Sequence, residues 1–455
     1  MSDRVSIIIR SSARAELAQA LQSVIDQTYQ DIEVVIVNVT GQSHPSLPPQ
    51  ADALTVKFVE PGRQLPRPDA ANAGLDAAQG DHLVFLDDDD LLDPGHVGAC
   101  VAAVRQDRKT LPFTGSQICD ENGELQAVWP AFAFGSLEIL ERIRLQPSAA
   151  LIPRAVIDKA DDRLRFDAEL PIFEDWDFWI RVSRRIAFRP LPVNTVIARV
   201  GLGTSGTGIG VNFDLQRTAR DSLPFHAKWE EERASLAARF DALRDEAEAA
   251  LESGDLQGAE KACWQAQALK IWDRATLSCL ARIFEARNQI DPARRFAAAA
   301  ERARFLAPGG LSRDALTRLH AHLQAGNAAA RTGDVSIAET ELQHALALHE
   351  GDQTACNSLA NLRIAQGRIA EAEMLLQQGM RWGDRTYPSI VLKRGSLLEE
   401  LGRRNEARTL YSHLARLVPR YAPARDRLQA LDAIDSLVPT AANDMSYETT
   451  HETTS

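Results

Sequence analysis

The stretch FLDDDDLLDP, residues 85–94, sets four carboxylates, Asp87 to Asp90, directly behind the apolar run HLVFL. Adjacent ionised carboxylates repel one another, and a bound divalent cation is the commonest way to offset that repulsion. Oxygen ligands of this kind select hard ions such as magnesium, manganese or calcium. If HLVFL is a strand of an open parallel sheet, the acids stand at its C-terminal end, where such folds bind ligands. The competing reading is a solvated acidic turn ahead of a helix beginning near Pro94, its charges favoured by the helix dipole.

The runs VSIII (5–9), IEVVIV (32–37), LTVKFV (54–59) and HLVFL (82–86) are short, β-branched and nearly continuous. That pattern suits parallel strands buried on both faces. Between the first two, Leu17, Ala20, Leu21, Val24 and Ile25 recur at helical spacing and form one apolar face. Between the last two, DAANAGLDAAQGD predicts a short Ala-rich helix closed by Gly80. Strand, helix, strand in this order predicts an α/β sheet built from right-handed crossovers.

Three blocks in order then carry a resemblance: VSIIIRSSARAELAQALQSVIDQTYQDIEVVIVNVTG (5–41), NAGLDAAQGDHLVFLDDDDLLDP (72–94) and FDAELPIFEDWDFWIRVSRR (166–185). Together, over roughly residues 3–205, they resemble the family 2 glycosyltransferases. The resemblance implies a GT-A fold, a nucleotide-sugar donor and inversion at the anomeric carbon. It makes Asp87 and Asp89 the outer acids of the family's D-x-D motif, with Asp89 the direct ligand of a manganese or magnesium ion and Asp88 near the donor ribose. In EDWDFW (174–179) it makes Asp175 the general base that takes the acceptor hydroxyl's proton, with Glu174 orienting it or raising its pKa. Asn72 matches a position beside the donor, although Asn is also an ordinary helix-start residue. Arg67, in the loop GRQLPRPDA, matches a basic residue facing the diphosphate. Trp176 and Trp179 read as core packing rather than sugar-stacking surfaces.

Several donor-side positions depart from the family pattern. Where the family reads V-D-D-G-S, this chain reads VNVTG; Asn38 retains an amide for a base edge, but Val39 has no polar group to offer. After the first strand the chain has RSSAR, so Arg10 is expected to meet a phosphate instead. The family's late histidine is missing from ARVGLGTSGTG. No Q-x-x-R-W sequence follows the base motif and no membrane helix is found, so single-residue transfer is expected rather than processive synthesis.

The second half is rich in Ala, Leu, Glu and Arg and carries a repeat. The pieces GDLQGA (254–259), NQIDPA (288–293), GDVSIA (333–338), GRIAEA (367–372) and GRRNEA (402–407) end in alanines 34, 45, 34 and 35 residues apart. Each opens with Gly or Asn, suited to a left-handed turn, and closes with a small residue where two helices cross. Over about 235–425 this resembles the tetratricopeptide repeat, with an insertion around PGGLSRDA, and implies a solenoid that binds a protein partner or acceptor.

The expected organisation is a GT-A α/β domain over 1–221, a linker helix over 222–234, an all-α solenoid over 235–435 and a disordered tail over 436–455. A net charge of −12 argues against a nucleic-acid partner. Five scattered cysteines indicate neither a zinc site nor a disulfide framework. With no signal sequence and no long apolar run, a cytoplasmic protein is expected. Two readings stay open: an enzyme of surface glycan assembly or protein glycosylation, and a scaffold whose transferase-like domain has lost donor binding.

Overall fold

The structure is a computed structural model that describes residues 3–142, 145–159, 162–200, 215–306, 313–381 and 386–437. The strands are β1 (Val5–Ser11), β2 (Ile32–Asn38), β3 (Thr55–Val59), β4 (His82–Asp87), β5 (Leu91–Leu92), β6 (Thr110–Cys119), β7 (Leu125–Trp129), β8 (Ile152–Pro153), β9 (Asp158–Lys159), β10 (Asp162–Arg163) and β11 (Ala187–Arg199). The first sheet runs β3-β2-β1-β4-β8, with β1 to β4 parallel and β8 antiparallel to β4. A second sheet, β5-β11-β6-β7, continues the domain, and β9–β10 form a small hairpin.

The period-2 alternation of β1 explains the layering. Ile8 faces one core together with Val35, Leu75, Phe85 and Trp179, whereas Ile7 and Ile9 face a second core with Leu17, Leu21, Val97 and Val101. The helices on these faces are α1 (Leu17–Ile25), α2 (Arg67–Ala77) and α3 (His96–Gln106), followed by the short α4 (Glu138–Glu141) and α5 (Arg154–Ile157), then α6 (Glu174–Ser183) and α7 (Leu215–Asp221). Gly80 does not close α2, which ends with Ala78 already extended. Its role is close approach: a Cβ there would lie 2.7 Å from Arg4 O and Ser6 N of the neighbouring strand segment.

The second half is helical: α8 (Leu223–Glu252), α9 (Leu256–Leu269), α10 (Arg274–Ala286), α11 (Ile290–Leu306), α12 (Arg313–Thr332), α13 (Val335–Leu348), α14 (Gln353–Ala365), α15 (Ile369–Arg381), α16 (Pro388–Glu400), α17 (Arg404–Leu417) and α18 (Ala422–Leu437). The five turns that mark the repeat share one geometry. Gly254, Asn288, Gly333, Gly367 and Gly402 all have φ between 60° and 83°. In each turn the next residue donates to a carbonyl five positions back, as Asp334 N does to Ala329 O at 3.0 Å and Arg403 N to Leu398 O at 2.7 Å. Ala259, Ala338, Ala372 and Ala407 are fully buried, as the helix-crossing role requires; Ala293 is half-buried. The hairpins are consistent with a tetratricopeptide-like solenoid. Most of the insertion and of the C-terminal tail lies outside the described residues.

The halves touch. Ser136 N and Leu137 N donate to Ala268 O and Leu269 O at the end of α9. Val128 in β7 and Thr386 exchange backbone hydrogen bonds at 2.7 and 2.8 Å. Asn194 Nδ2 donates to Leu417 O at 2.9 Å. All five cysteines are buried free thiols. No helix among the described residues is long and apolar enough to cross a membrane.

Candidate functional site

Because β1, β2 and β4 are parallel neighbours, their C-terminal ends meet at one edge. There Arg10 pairs in register with Asp87, and Ser11 with Asn38. Register puts the Arg10 and Asp87 side chains on the same side, and Arg10 donates to Asp87 Oδ1 through Nε, at 3.1 Å, and through its terminal nitrogen. Burial works against ionisation of Asp87. The guanidinium groups of Arg10 and Arg67 outweigh it and hold the carboxyl down at about 2.

The loop after β1 serves the next two acids. Ser12 donates to Asp88 Oδ2 from its backbone nitrogen at 2.6 Å and its hydroxyl at 2.9 Å. Arg14 lies 3.4 Å from Asp88 and donates to Asp89. The residue between them, Ala13, has φ 62°, an uncommon conformation for a residue with a Cβ and one that turns the backbone around the carboxylates. Asp88 is buried, which raises its pKa. Asp90 is raised well above the usual carboxylate range, first by burial and then by Asp87 and Asp89; it accepts from Arg199 N at 3.1 Å.

The second constellation arrives at the start of α6. Phe173, with φ 63°, turns the chain into the helix so that Glu174 and Asp175 open its first turn. Glu174 is buried, accepts from Arg67 Nε at 2.8 Å and faces Arg10 at 3.6 Å. Asp175 accepts from Trp176 N at 2.8 Å. Its pKa is pushed up to about 6 by burial and by Glu174, against the pull of Arg67. The segment ahead of α6 is clasped by Asn72: its Nδ2 donates to Phe166 O at 2.9 Å and its Oδ1 accepts from Phe166 N at 2.8 Å. Behind α6, buried Asp177 binds Arg181, Lys228 and Trp229, anchoring the motif to α8.

Arg10, Arg67, Asp87, Asp88, Asp89, Glu174 and Asp175 therefore form one site. The amides of Asn38 and Asn72, both expected beside the donor, are engaged by neighbouring chain segments. Asn38 donates to Gln42 O and Glu60 and accepts from Thr40, so its amide holds the loop after β2. Trp176 and Trp179 are buried in the core. The segment ARVGLGTSGTG, from which the family's late histidine is missing, lies largely outside the described residues. Sequence reasoning missed Arg14 and Arg199 as partners of the acids. The signal was their position, each at or just beyond the C-terminal end of a strand.

Five carboxyls (Asp87, Asp88, Asp89, Glu174, Asp175) face three guanidinium groups (Arg10, Arg14, Arg67), a formal excess of two negative charges beside Asp90, whose pKa burial raises. Donor type and charge fit magnesium or manganese, which take one or two carboxylates and complete their shell from phosphates and water. The guanidinium on Asp89 must yield for the ion to enter.

Residues 6–141 match the model of the glycosyl transferase family 2. These residues carry a family 2 glycosyltransferase domain. Curated relatives include an uncharacterized glycosyltransferase, YwdF, of Bacillus subtilis, 26% identical over 43% of this chain and 73% of the relative. Another, MJ1057 of Methanocaldococcus jannaschii, is 25% identical over 39% of this chain and 63% of the relative. Among solved structures, S. aureus TarS residues 1–349 align with 16% identity and a TM-score of 0.36 over 66% of this chain and 92% of that one. Family members of this type often use divalent cations.

A cleft of about 800 Å³ opens between the second sheet and the last helices of the solenoid. Gln19, Glu124, Arg199, Arg420 and Tyr421 are among its lining residues. Arg199 belongs to both places, since its Nε donates to Asp89 O and its backbone to Asp90.

Proposed function

We propose that the N-terminal domain transfers a single sugar from a nucleotide-sugar donor to an acceptor hydroxyl, with inversion, and that the reaction requires manganese or magnesium. The observation that carries this reading is the sharing of Arg10 and Arg67 by Asp87 and Glu174, which ties the acidic run to the ED motif as one site. Asp89, with Asp87, would hold the cation, which when bound neutralises charge developing on the departing diphosphate. Arg14, released from Asp89, and Arg67 supply guanidinium groups for the phosphate oxygens. Asp88, held by Ser12, would lie near the donor ribose. Asp175 takes the acceptor proton, and a carboxyl with a pKa of about 6 is matched to that task near neutral pH. Glu174, fixed by Arg67, orients it and raises its basicity.

The cleft between the second sheet and α16–α18 supports an acceptor held by both halves of the chain. A solenoid joined to a transferase fits a protein acceptor or a partner in surface glycan assembly, in the cytoplasm. A second reading, a scaffold without donor turnover, is favoured by one observation: each of Asp87, Asp88 and Asp89 already has a guanidinium partner. Donor hydrolysis with a panel of UDP-, GDP- and dTDP-sugars and manganese separates them. Turnover that disappears in Asp89→Ala and Asp175→Asn supports the enzyme. Absence of any nucleotide binding by calorimetry overturns it in favour of the scaffold.

A further inference from the structure

The helical half holds a second set of metal-ligating side chains, remote in sequence from the acidic run. His322 lies on α12, and Glu341 and His344 on α13, the two helices joined at the Gly333 turn. The three-residue spacing of Glu341 and His344 puts both on one face of α13. The helices approach closely at this level. Gly326, one turn beyond His322, faces Leu342, and a Cβ at 326 would lie 2.8 Å from Leu342 Cγ. Leu319, Leu342 and Ala345 are buried in a common core, so the backbones that carry the ligands are held by packing.

His322 Nδ1 and Glu341 Oε2 are 2.8 Å apart, and the rings of His322 and His344 have centroids 5.2 Å apart. One ligand atom from each of the three residues falls within 4.8 Å of the others, the sole such group of three or more His, Cys, Asp or Glu among the described residues. A tetrahedral zinc ion with ligands at about 2.1 Å holds them about 3.4 Å apart. The three ligand atoms, all within 4.8 Å of one another, lie near that spacing. His322 and Glu341 are half-buried and His344 is exposed, so an ion has an open path.

Two imidazoles and one carboxylate suit zinc and its first-row neighbours, whereas magnesium and manganese favour all-oxygen sets. We propose that His322, Glu341 and His344 form a zinc-type site that clips α12 to α13, with a fourth coordination position left for water or an external ligand. No cysteine takes part, which is why the cysteine spacing gave no sign of it. The clip closes the α12–α13 hairpin, at whose turn the 45-residue step in the repeat ends. The ion binds the folded hairpin and so adds to its stability by mass action. This inference is independent of sugar transfer.

The test uses the full chain, stripped of metal with a chelator and titrated with zinc chloride by calorimetry and with cobalt(II) by visible absorption. The wild type is expected to bind one zinc that the His322→Ala/His344→Ala double variant does not bind. His344→Ala and Glu341→Gln should each weaken that binding at least about tenfold. The cobalt spectrum should show the intensity of a four-coordinate site and lose it in the double variant. Zinc should raise the melting temperature of the wild type but not of the double variant. His320→Ala, on the same helix but outside the group, should match the wild type. His344 is exposed, so its loss should leave the metal-free melting temperature unchanged. No stoichiometric zinc uptake by the wild type, or wild-type affinity in His344→Ala, overturns the proposal.

Discussion

Arg67 Nε donates to Glu174 Oε1 at 2.8 Å while its terminal nitrogen lies 3.7 Å from Asp87, so one guanidinium at the start of α2 joins the end of β4 to the start of α6. Arg10 repeats the connection, contacting the same two carboxylates. The consequence is a site in which base, acidic run and phosphate-binding groups are electrostatically linked.

Asp175 must be ionised to accept a proton, and burial together with Glu174 pushes its carboxyl up to about 6. The rate should therefore fall as pH drops through about 6 and level off above it. Initial-rate measurements of kcat/KM against pH should show this acidic limb. Asp175→Asn should lower kcat by about 10² to 10⁴ with the donor still bound.

The neighbours of Asp175 should move that limb in opposite directions. Arg67 lowers the Asp175 pKa, so Arg67→Ala should carry the limb to higher pH. Glu174 raises it, so Glu174→Gln should carry the limb to lower pH. Matching pH profiles of the two variants are the check; a common direction of shift would contradict the assignment.

Arg14 competes with a cation for Asp89. Removing a partly exposed pair of this kind is worth about 1 kcal/mol, or about fivefold in affinity. Arg14→Ala should bind manganese about fivefold more tightly than the wild type in the absence of donor, by calorimetry. Donor KM should rise in the same variant, because a phosphate-binding group has gone.

In the solenoid, two glycines should differ in cost. A Cβ at Gly395 would lie 2.3 Å from the ring of buried Tyr411, so Gly395→Val should destabilise by about 1–3 kcal/mol through overpacking. Gly402 has open space around it but φ 75°, so Gly402→Ala should cost only the strain of that conformation, about 1 kcal/mol. Thermal melting of both variants gives the order.

Much of the architecture could be read in advance because each element has a local cause. Strands buried on both faces must be nearly continuous apolar runs, and β1, β2 and β4 are; β3, expected to be buried in the same way, is an edge strand with Thr55, Lys57 and Phe58 exposed, because only β2 pairs with it. A left-handed turn residue is most cheaply Gly or Asn, which is why five turns were found by counting and all five have positive φ. Gly80 was misread because a glycine near a helix end and one packed against a neighbouring strand look alike in sequence.

The sequence alone determined which acids gather, at the end of β4 and the start of α6, and that helical hairpins follow an α/β domain. These depend on periodicity, turn chemistry and short motifs, all local along the chain. Tertiary structure alone decided the acids' partners: Arg14 for Asp88 and Asp89, Arg67 for Glu174, and Arg199 for Asp90. Only in the fold do the amides of Asn38 and Asn72 turn inward to hold loops, and only there does the solenoid meet the second sheet at Val128 and Thr386. Such choices pair groups far apart in the chain. Parallel register and crossover geometry bring them together, and no local pattern encodes them.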